Sequence, residues 1–568
     1  MKLLEVKNLS IYFNQNGRRI HAVKDLSFDV YNGEILGLVG ESGSGKSVTA
    51  MSILRLLPSN GIIDSGSITW NYNGSKSLLD LKEDDLRTIR LAEIAMIFQE
   101  PMTSLNPVLT CGSQVAEGYA AHIKATKHEI KAKVIDLFTK LGLAEPERVY
   151  RSYPHELSGG QLQRVLIALA LICMPKLVIA DEPTTALDVT IQRKLIQLLL
   201  DLKAQFGLTI IFISHDLGLV KHICDRVLIM RNGEAVEQND IKIIFENPKH
   251  PYTKGLIYSR APLDVKLRKL PVVDDFLSKN KSIDDFMNDI NVINNTEQDR
   301  QIDLLKNQRT LLKVENMSVE YSKEKTWYGR SKSYFKAVDD ISFELFPSEV
   351  LGVVGESGSG KSSLGKAILG LTKMNSGKVF YRDQDISELN FNQWKPYRKK
   401  LQIIFQDPYS ALNPRQKIGD AIVEPMEVHH LHHNTKLRKE KAIQLLEEVG
   451  LSPDHYDRYP HQFSGGQRQR ICIARALALE PEFIVCDEAV SALDVSVQAQ
   501  VLNLLQDLRS KFKLSYLFIS HDLSVINFIA DRVMVMKAGR IVEQGPCHKI
   551  IKQPSEEYTK ELINSIFH

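Results

Sequence analysis

Twice along the chain, at residues 40–47 and 355–362, the same eight residues GESGSGKS recur. Glycines at this spacing let the backbone curl until its N–H groups converge on phosphate oxygens, and the helix that follows points its positive end at them. Gly40, Glu41, Ser42, Gly43, Ser44 and Gly45 form one loop, and Gly355, Glu356, Ser357, Gly358, Ser359 and Gly360 the other. Lys46 and Lys361 add a mobile positive charge, and Ser47 and Ser362 offer a hydroxyl to Mg²⁺. A second pattern, LVIADE and FIVCDE, ends an apolar run on two carboxylates. Side chains alternate sides along a strand, so adjacent acids must divide their work. Asp181 and Asp487 are placed to hold Mg²⁺ through its water, and Glu182 and Glu488 to orient and polarise an attacking water. The implied chemistry is attack of water on a bound polyphosphate, at two places in one chain.

Short apolar runs carry these residues: ILGLVG and VLGVVG lead into the glycine loops, while TIIFISHD and YLFISHD end on His215 and His521. Runs of this kind suit parallel strands covered on both faces. Between the FQ and SGGQ motifs lie helical patterns such as KAKVIDLFTKLGL and KAIQLLEEVGL. The expected architecture is α/β with a helical insertion. The motifs hold register, offset by 315 residues from Lys46 to Lys361, by 307 from Gln99 to Gln406, and by 306 from Asp181 to Asp487 and from His215 to His521. Solenoid repeats run about 20 to 50 residues, so a repeat this long reflects duplication of a whole domain. The expected domains are 1–271 and 311–568. Residues 272–310, rich in Asn, Asp, Lys and Gln, read as a polar linker with room for one short helix. As a flexible chain it would span on the order of 30 to 40 Å.

A length of 568 residues with 43% hydrophobic content describes a multidomain globular chain. Lys and Arg number 72 against 69 Asp and Glu, so bulk electrostatics gives no reason to expect nucleic acid. The six cysteines form no CxxC pair, which reads as a reduced, cytosolic protein without zinc or disulfide framework. Residues 1–8 contain no apolar signal core, and the longest apolar run, 165–174, is far short of the roughly 20 residues that span a bilayer. The expectation is a chain that neither crosses a membrane nor carries a signal peptide. His429, His430, His432 and His433 have no ligand set beyond Glu427, and read as surface of the helical insertion rather than as a metal site.

With LSGGQ at 157–161 and FSGGQ at 463–467, both halves resemble the nucleotide-binding domains of ABC transporters, over nearly all of the chain except the linker. The resemblance implies two P-loop NTPase domains, each a mostly parallel sheet core with an antiparallel β part and a helical subdomain. It implies that the two halves pair within the chain, head to tail, around two ATP molecules. Lys46, Ser47, Gln99, Asp181, Glu182 and His215 would form one site, completed by Ser464, Gly466 and Gln467. Lys361, Ser362, Gln406, Asp487, Glu488 and His521 would form the other, completed by Ser158, Gly160 and Gln161. In this pattern Glu182, Glu488, His215, His521, Gln99 and Gln406 are catalytic, and Gln99 and Gln406 also reach Mg²⁺. Phe13 and Tyr321 would stack on adenine, and Asp188 and Asp494 would lie in the loop that communicates between sites. Since both halves keep the glutamate, histidine and lysine, two hydrolytic sites are expected. Leu162, where many relatives have Arg, and Ala489, where Pro is usual, depart from the pattern without touching its phosphate ligands.

FQEPMTSLNP and FQDPYSALNP after the glutamines, and NPKHPYTKGL at 247–256, look like the dipeptide and oligopeptide branch of ABC importers. The fused ATPases of microcin C/oligopeptide and glutathione uptake systems resemble the chain most, the first slightly more. This resemblance implies an energy-coupling subunit at the cytoplasmic face of the cell membrane. It would work through two transmembrane permease subunits and, indirectly, an external solute-binding protein. Some relatives carry an iron–sulfur cluster near the domain end; no cysteine lies between 250 and 310, so none is expected here. A soluble tandem ABC factor acting on the ribosome is the competing class, but its long charged helical linker is not matched by the Asn-rich stretch.

Overall fold

The computed structural model describes residues 1–15, 17–184, 189–278, 281–288, 291–322 and 334–565. The chain forms two compact units, one built on Met1–Ile257 with Phe276–Asn280, the other on Tyr258–Asp275 and Lys281–Ile566.

In the first unit a six-stranded sheet runs in the order Glu234–Asp240, Arg226–Arg231, Ile35–Val39, Thr209–Ser214, Leu177–Asp181, Ile94–Ile97. All neighbours are parallel except the first pair. Ile35–Val39, Leu177–Asp181 and Thr209–Ser214 are buried along their whole length, which is why their sequences are continuous apolar runs without alternation. The second unit repeats the order with Leu401–Ile404, Phe483–Asp487, Ser515–Ile519, Val350–Val354, Arg532–Lys537 and the antiparallel Arg540–Pro546. Each unit adds a four-stranded antiparallel sheet, led by Arg18–Tyr31 and Lys2–Gln15 in one and by Tyr334–Leu345 and Leu312–Ser322 in the other. The mostly parallel core and the antiparallel part are those the resemblance implies.

The helical insertion is present in both units. In Lys127–Lys140 the buried residues Ile130, Val134, Leu137 and Phe138 fall at helical spacing on one face. Thr126 and Glu129 cap its start reciprocally, Glu129 accepting from the Thr126 N–H at 2.7 Å. Gly142, in the left-handed region at φ 66°, ends it, and the Leu143 N–H reaches back to the Phe138 carbonyl at 3.0 Å. The histidines at 429–433 do not continue a helix: His430 and His432 have φ of 54° and 50°, so His429 and His433 are not stacked one turn apart.

The stretch read as a polar linker, 272–310, carries helices Val273–Leu277 and Asn295–Lys306 and a strand, Val292–Ile293, that pairs with Lys266–Leu267. The second unit already begins at Tyr258, ahead of that stretch. Ala261, Leu267 and Leu270 are buried in the second unit's core, and the backbone beside them is held by a pair of buried side-chain amides on the helices Val495–Phe512 and Leu523–Ile529. Asn503 accepts from the Leu270 N–H and donates to its carbonyl, both at 2.9 Å, and Asn527 donates to the carbonyls of Pro262 and Leu263 at 3.1 and 3.0 Å. Without this strip of backbone, both amides would be left unsatisfied in the interior.

Just ahead of each central strand a glutamate pairs with an arginine, and in the second unit that glutamate is buried. Glu349 is fully buried and accepts from Arg532 at 3.0 Å and from the Phe346 N–H at 2.7 Å; Glu34 and Arg226 repeat the pair at 3.2 Å. Burial pushes the Glu349 carboxyl up to about 7, against the pull of Arg532. Arg532→Ala is expected to destabilise the second unit by roughly 3 kcal/mol, because it strands a buried charge. The loss should be smaller at pH 5 than at pH 8. A carboxyl raised above its unfolded value keeps its proton in the fold at low pH, and the associated stability is lost as pH rises through the folded value. Urea unfolding at the two pH values checks this, and equal losses would contradict it.

Candidate functional site

Each glycine loop follows the central strand of its sheet, Ile35–Val39 or Val350–Val354, and opens a helix, Lys46–Ile53 or Lys361–Ile368. Gly45 and Gly360 both sit at φ 101°, and a Cβ on Gly45 would stand 2.5 Å from the Ala22 carbonyl, so no other residue fits the turn. The lysines are folded back into their own loops. Lys46 donates to the carbonyls of Gly40 and Glu41 at 2.7 and 2.9 Å, and Lys361 to those of Gly355 and Glu356 at 2.7 and 2.8 Å. Ser44 and Ser359 lie 3.4 Å from the same amines.

The acid pairs stand at the ends of Leu177–Asp181 and Phe483–Asp487, each one strand removed from the central strand. Ser47 donates to Asp181 at 3.0 Å and Ser362 to Asp487 at 2.7 Å. Burial pushes the Asp181 carboxyl up to about 6, with the Ser47 bond pulling the other way; burial raises Asp487 as well. A serine hydroxyl beside a desolvated carboxylate that lacks full compensation is a hard-oxygen donor set suited to Mg²⁺, and the residues present fit that ion. Bound there, it would neutralise charge on the phosphates.

Glu182 and Glu488 take φ of 46° and 47°, an uncommon conformation for a side chain of this size, in both units alike. Each accepts from the glutamine of its unit, Gln99 at 2.9 Å and Gln406 at 2.8 Å. Each also meets its histidine, His215 at 3.2 Å and His521 at 3.4 Å. For Glu488, burial acts upward, but the bond and charge of His521 and the charge of Lys361 hold it below the usual glutamate value; His521 is correspondingly raised by Glu488 against its own burial. The structure therefore gathers Lys46, Ser47, Gln99, Asp181, Glu182 and His215 in one unit and their six counterparts in the other. A carboxylate with its proton relay partner, beside a phosphate cradle, can orient water for in-line attack.

Ser158, Gly160 and Gln161 lie in a different part of the first unit, at the start of the helix Gly159–Leu171, where Gln161 accepts from the Ser158 N–H at 3.0 Å. Ser464, Gly466 and Gln467 repeat this at the helix Gly465–Leu477, at 3.1 Å. Tyr321 places its hydroxyl 3.3 Å from Ser363, next to Ser362, and the Phe13 ring packs over Gly61. Asp494 precedes the helix Val495–Phe512, whereas Asp188 lies outside the described residues.

Two features escaped the motif reading. Tyr252 and Tyr558 reach the glycine loops, each accepting from a loop N–H at 3.2 Å, at Glu41 and Glu356. The signal was available as YTKGLI and YTKELI in 306-residue register. The second concerns the short helices after the glutamines, Pro101–Ser104 and Pro408–Ala411. In the second unit Asp407 caps the helix, the Arg468 guanidinium sits 3.7 Å from the Tyr409 ring centre, and Arg475 donates to the Ala411 carbonyl at 2.6 Å. In register with the two arginines the first unit has Leu162 and Leu169, and its short helix has no side-chain cap.

All six cysteines are free, and burial raises the thiols, Cys111 and Cys547 to about 11, which leaves them poor nucleophiles. Among the described residues no helix is long and apolar enough to cross a membrane.

Comparison with known proteins adds two family matches. The model described as ABC transporter matches residues 23–185 and 338–491, and that described as oligopeptide/dipeptide transporter, C-terminal region, matches 236–279 and 542–568. The glutathione import ATP-binding protein GsiA of Pectobacterium atrosepticum is 43% identical over 569 residues, covering 100% of this chain and 89% of its own length. The protein of that name from Escherichia coli strain K12 is 44% identical, over 99% of this chain and 89% of its own length. Among solved structures, a dimeric bacterial ABC transporter cassette aligns with 42% of this chain and 99% of its own, at 29% identity and a TM-score of 0.38.

Proposed function

The chain belongs to the ABC transporter family of ATP-binding proteins, whose activity is ATP hydrolysis coupled to transport, and from that premise we propose that it powers the import of short peptides. Glutathione, itself a tripeptide, is the first solute to test. The observation that carries the reading is the oligopeptide/dipeptide transporter C-terminal region, matched once in each half. The names of the relatives favour the glutathione type over the microcin C type that the motifs had placed first.

In this reading ATP and Mg²⁺ occupy both glycine loops, with Ser158, Gly160 and Gln161 or Ser464, Gly466 and Gln467 completing the pocket of the opposite half. The subunit acts peripherally, at the cytoplasmic side of two permease subunits supplied by a solute-binding protein. ATP binding favours one conformation of the transporter and hydrolysis releases it. Uptake of labelled glutathione, a plain tripeptide and a peptidyl nucleotide should be measured in cells with the permease genes, with and without this chain. Glutathione uptake that depends on the chain, and that is lost in Glu182→Gln with Glu488→Gln, is the expected result. Dependence for the peptidyl nucleotide alone would move the reading to the microcin type. No uptake of any solute, with co-sedimentation on ribosomes, would overturn it.

A further inference from the structure

The helices Pro251–Tyr258 and Glu557–Asn564 each begin beside a tyrosine that points into the core, Tyr252 with 0% and Tyr558 with 8% exposure. Each hydroxyl accepts from the N–H of the second loop residue, Glu41 or Glu356, at 3.2 Å. The carbonyl of that same peptide group, contributed by Gly40 or Gly355, is the nearer of the two loop carbonyls that accept from the lysine, at 2.7 Å. Tyrosine, peptide and ammonium thus form one chain of hydrogen bonds, and it has the same lengths in both units. We infer that Tyr252 and Tyr558 are positioning residues for the phosphate-binding lysines, acting through the Gly40–Glu41 and Gly355–Glu356 peptides.

The tyrosine fixes the peptide plane by its N–H, so the opposite carbonyl is aimed where it parks the ammonium, and the chain polarises that carbonyl further. A parked, ordered lysine loses less freedom when a polyphosphate replaces the carbonyls as its partner. The tyrosines are themselves held from the last strand of the sheet. Glu237 accepts from the Lys249 and His250 N–H groups at 2.9 and 3.0 Å, and Glu543 from the Ser555 N–H and hydroxyl at 2.8 and 2.7 Å. Arg231 lies 5.1 Å from the Tyr252 ring centre and Lys537 4.4 Å from that of Tyr558. Glu237, Tyr252, Glu543 and Tyr558 all fall within the oligopeptide/dipeptide C-terminal matches, so this gives that region a task at the nucleotide rather than only at the edge of the fold.

The inference rests on the ATPase reading, and the experiment separates the two. In the full chain, Tyr252→Phe with Tyr558→Phe removes the hydroxyls and keeps the rings. The Kd and KM for ATP should rise about five- to tenfold, kcat should stay within about twofold, and binding of adenosine should be unchanged. Hydrogen exchange at the Glu41 and Glu356 amides should quicken about tenfold or more. ATP affinity within about 1.5-fold of wild type, with exchange unaltered, would overturn the inference. So would an equal loss of ATP and adenosine binding with a fall in thermal midpoint, the mark of packing damage. A wild-type chain that binds no ATP would instead sink the proposed function.

Discussion

Exchanging Glu182 and Glu488 for glutamine together lowers ATP turnover by about a thousandfold while leaving ATP binding intact; this is the largest effect expected of any substitution in the chain. An amide has the shape of the carboxylate but can neither accept the proton of an attacking water nor polarise it. The groups around each glutamate already serve that purpose: Gln99 and His215 hold one, Gln406 and His521 the other, at 2.8 to 3.4 Å. Binding should survive because Lys46 with Ser47, and Lys361 with Ser362, form their contacts without the glutamates. Loss of one negative charge also relieves Asp181 and Asp487, both of which the neighbouring glutamate pushes upward. Phosphate release and nucleotide binding, measured on the same preparation, check both halves of the expectation. Turnover within tenfold of wild type would remove the two glutamates from this role.

The second large effect is on binding. Lys46→Met with Lys361→Met should weaken ATP about a hundredfold, since a buried charge-assisted contact to phosphate contributes on the order of 3 kcal/mol. The two lysines are 5% and 4% exposed and rest on loop carbonyls, so each ammonium is already stripped of most of its water before nucleotide arrives. A polyphosphate compensates that charge better than neutral carbonyls do, and methionine, similar in volume, cannot. Adenosine, which lacks phosphates, should bind the variant and the wild type alike. Calorimetry with both ligands tests the claim, and an equal loss for adenosine would show that the substitution had damaged the loop itself.

Much of the site is legible in the sequence because its pieces are local. A glycine loop, an acid pair at a strand end and a histidine after another strand are each written within eight residues, and the repeat register places them in two equivalent sets. The parallel strands were equally plain, since burial on both faces forces uninterrupted apolar runs such as ILGLV. The contacts that depend on distant partners were not visible. Asn503 and Asn527 bind the backbone of Leu270, Pro262 and Leu263, more than 230 residues away, and nothing local in that stretch marks it as laid on the second unit rather than the first. Tyr252 belongs to a motif that could be quoted as a family marker, but its partner Glu41 lies 211 residues earlier. The bond between Gln99 and Glu182 likewise spans 83 residues.

The arginines of the second unit have a mechanical consequence. A short helix capped by Asp407, stacked on by Arg468 and tethered by Arg475 is splinted to the helix Gly465–Leu477 that carries both arginines, so a displacement of that helix is expected to carry the segment after Gln406 with it. At the positions of these two arginines the first unit has Leu162 and Leu169, which can form neither the stack nor the tether on the segment after Gln99. One lever in this chain is stiff and the other is sprung.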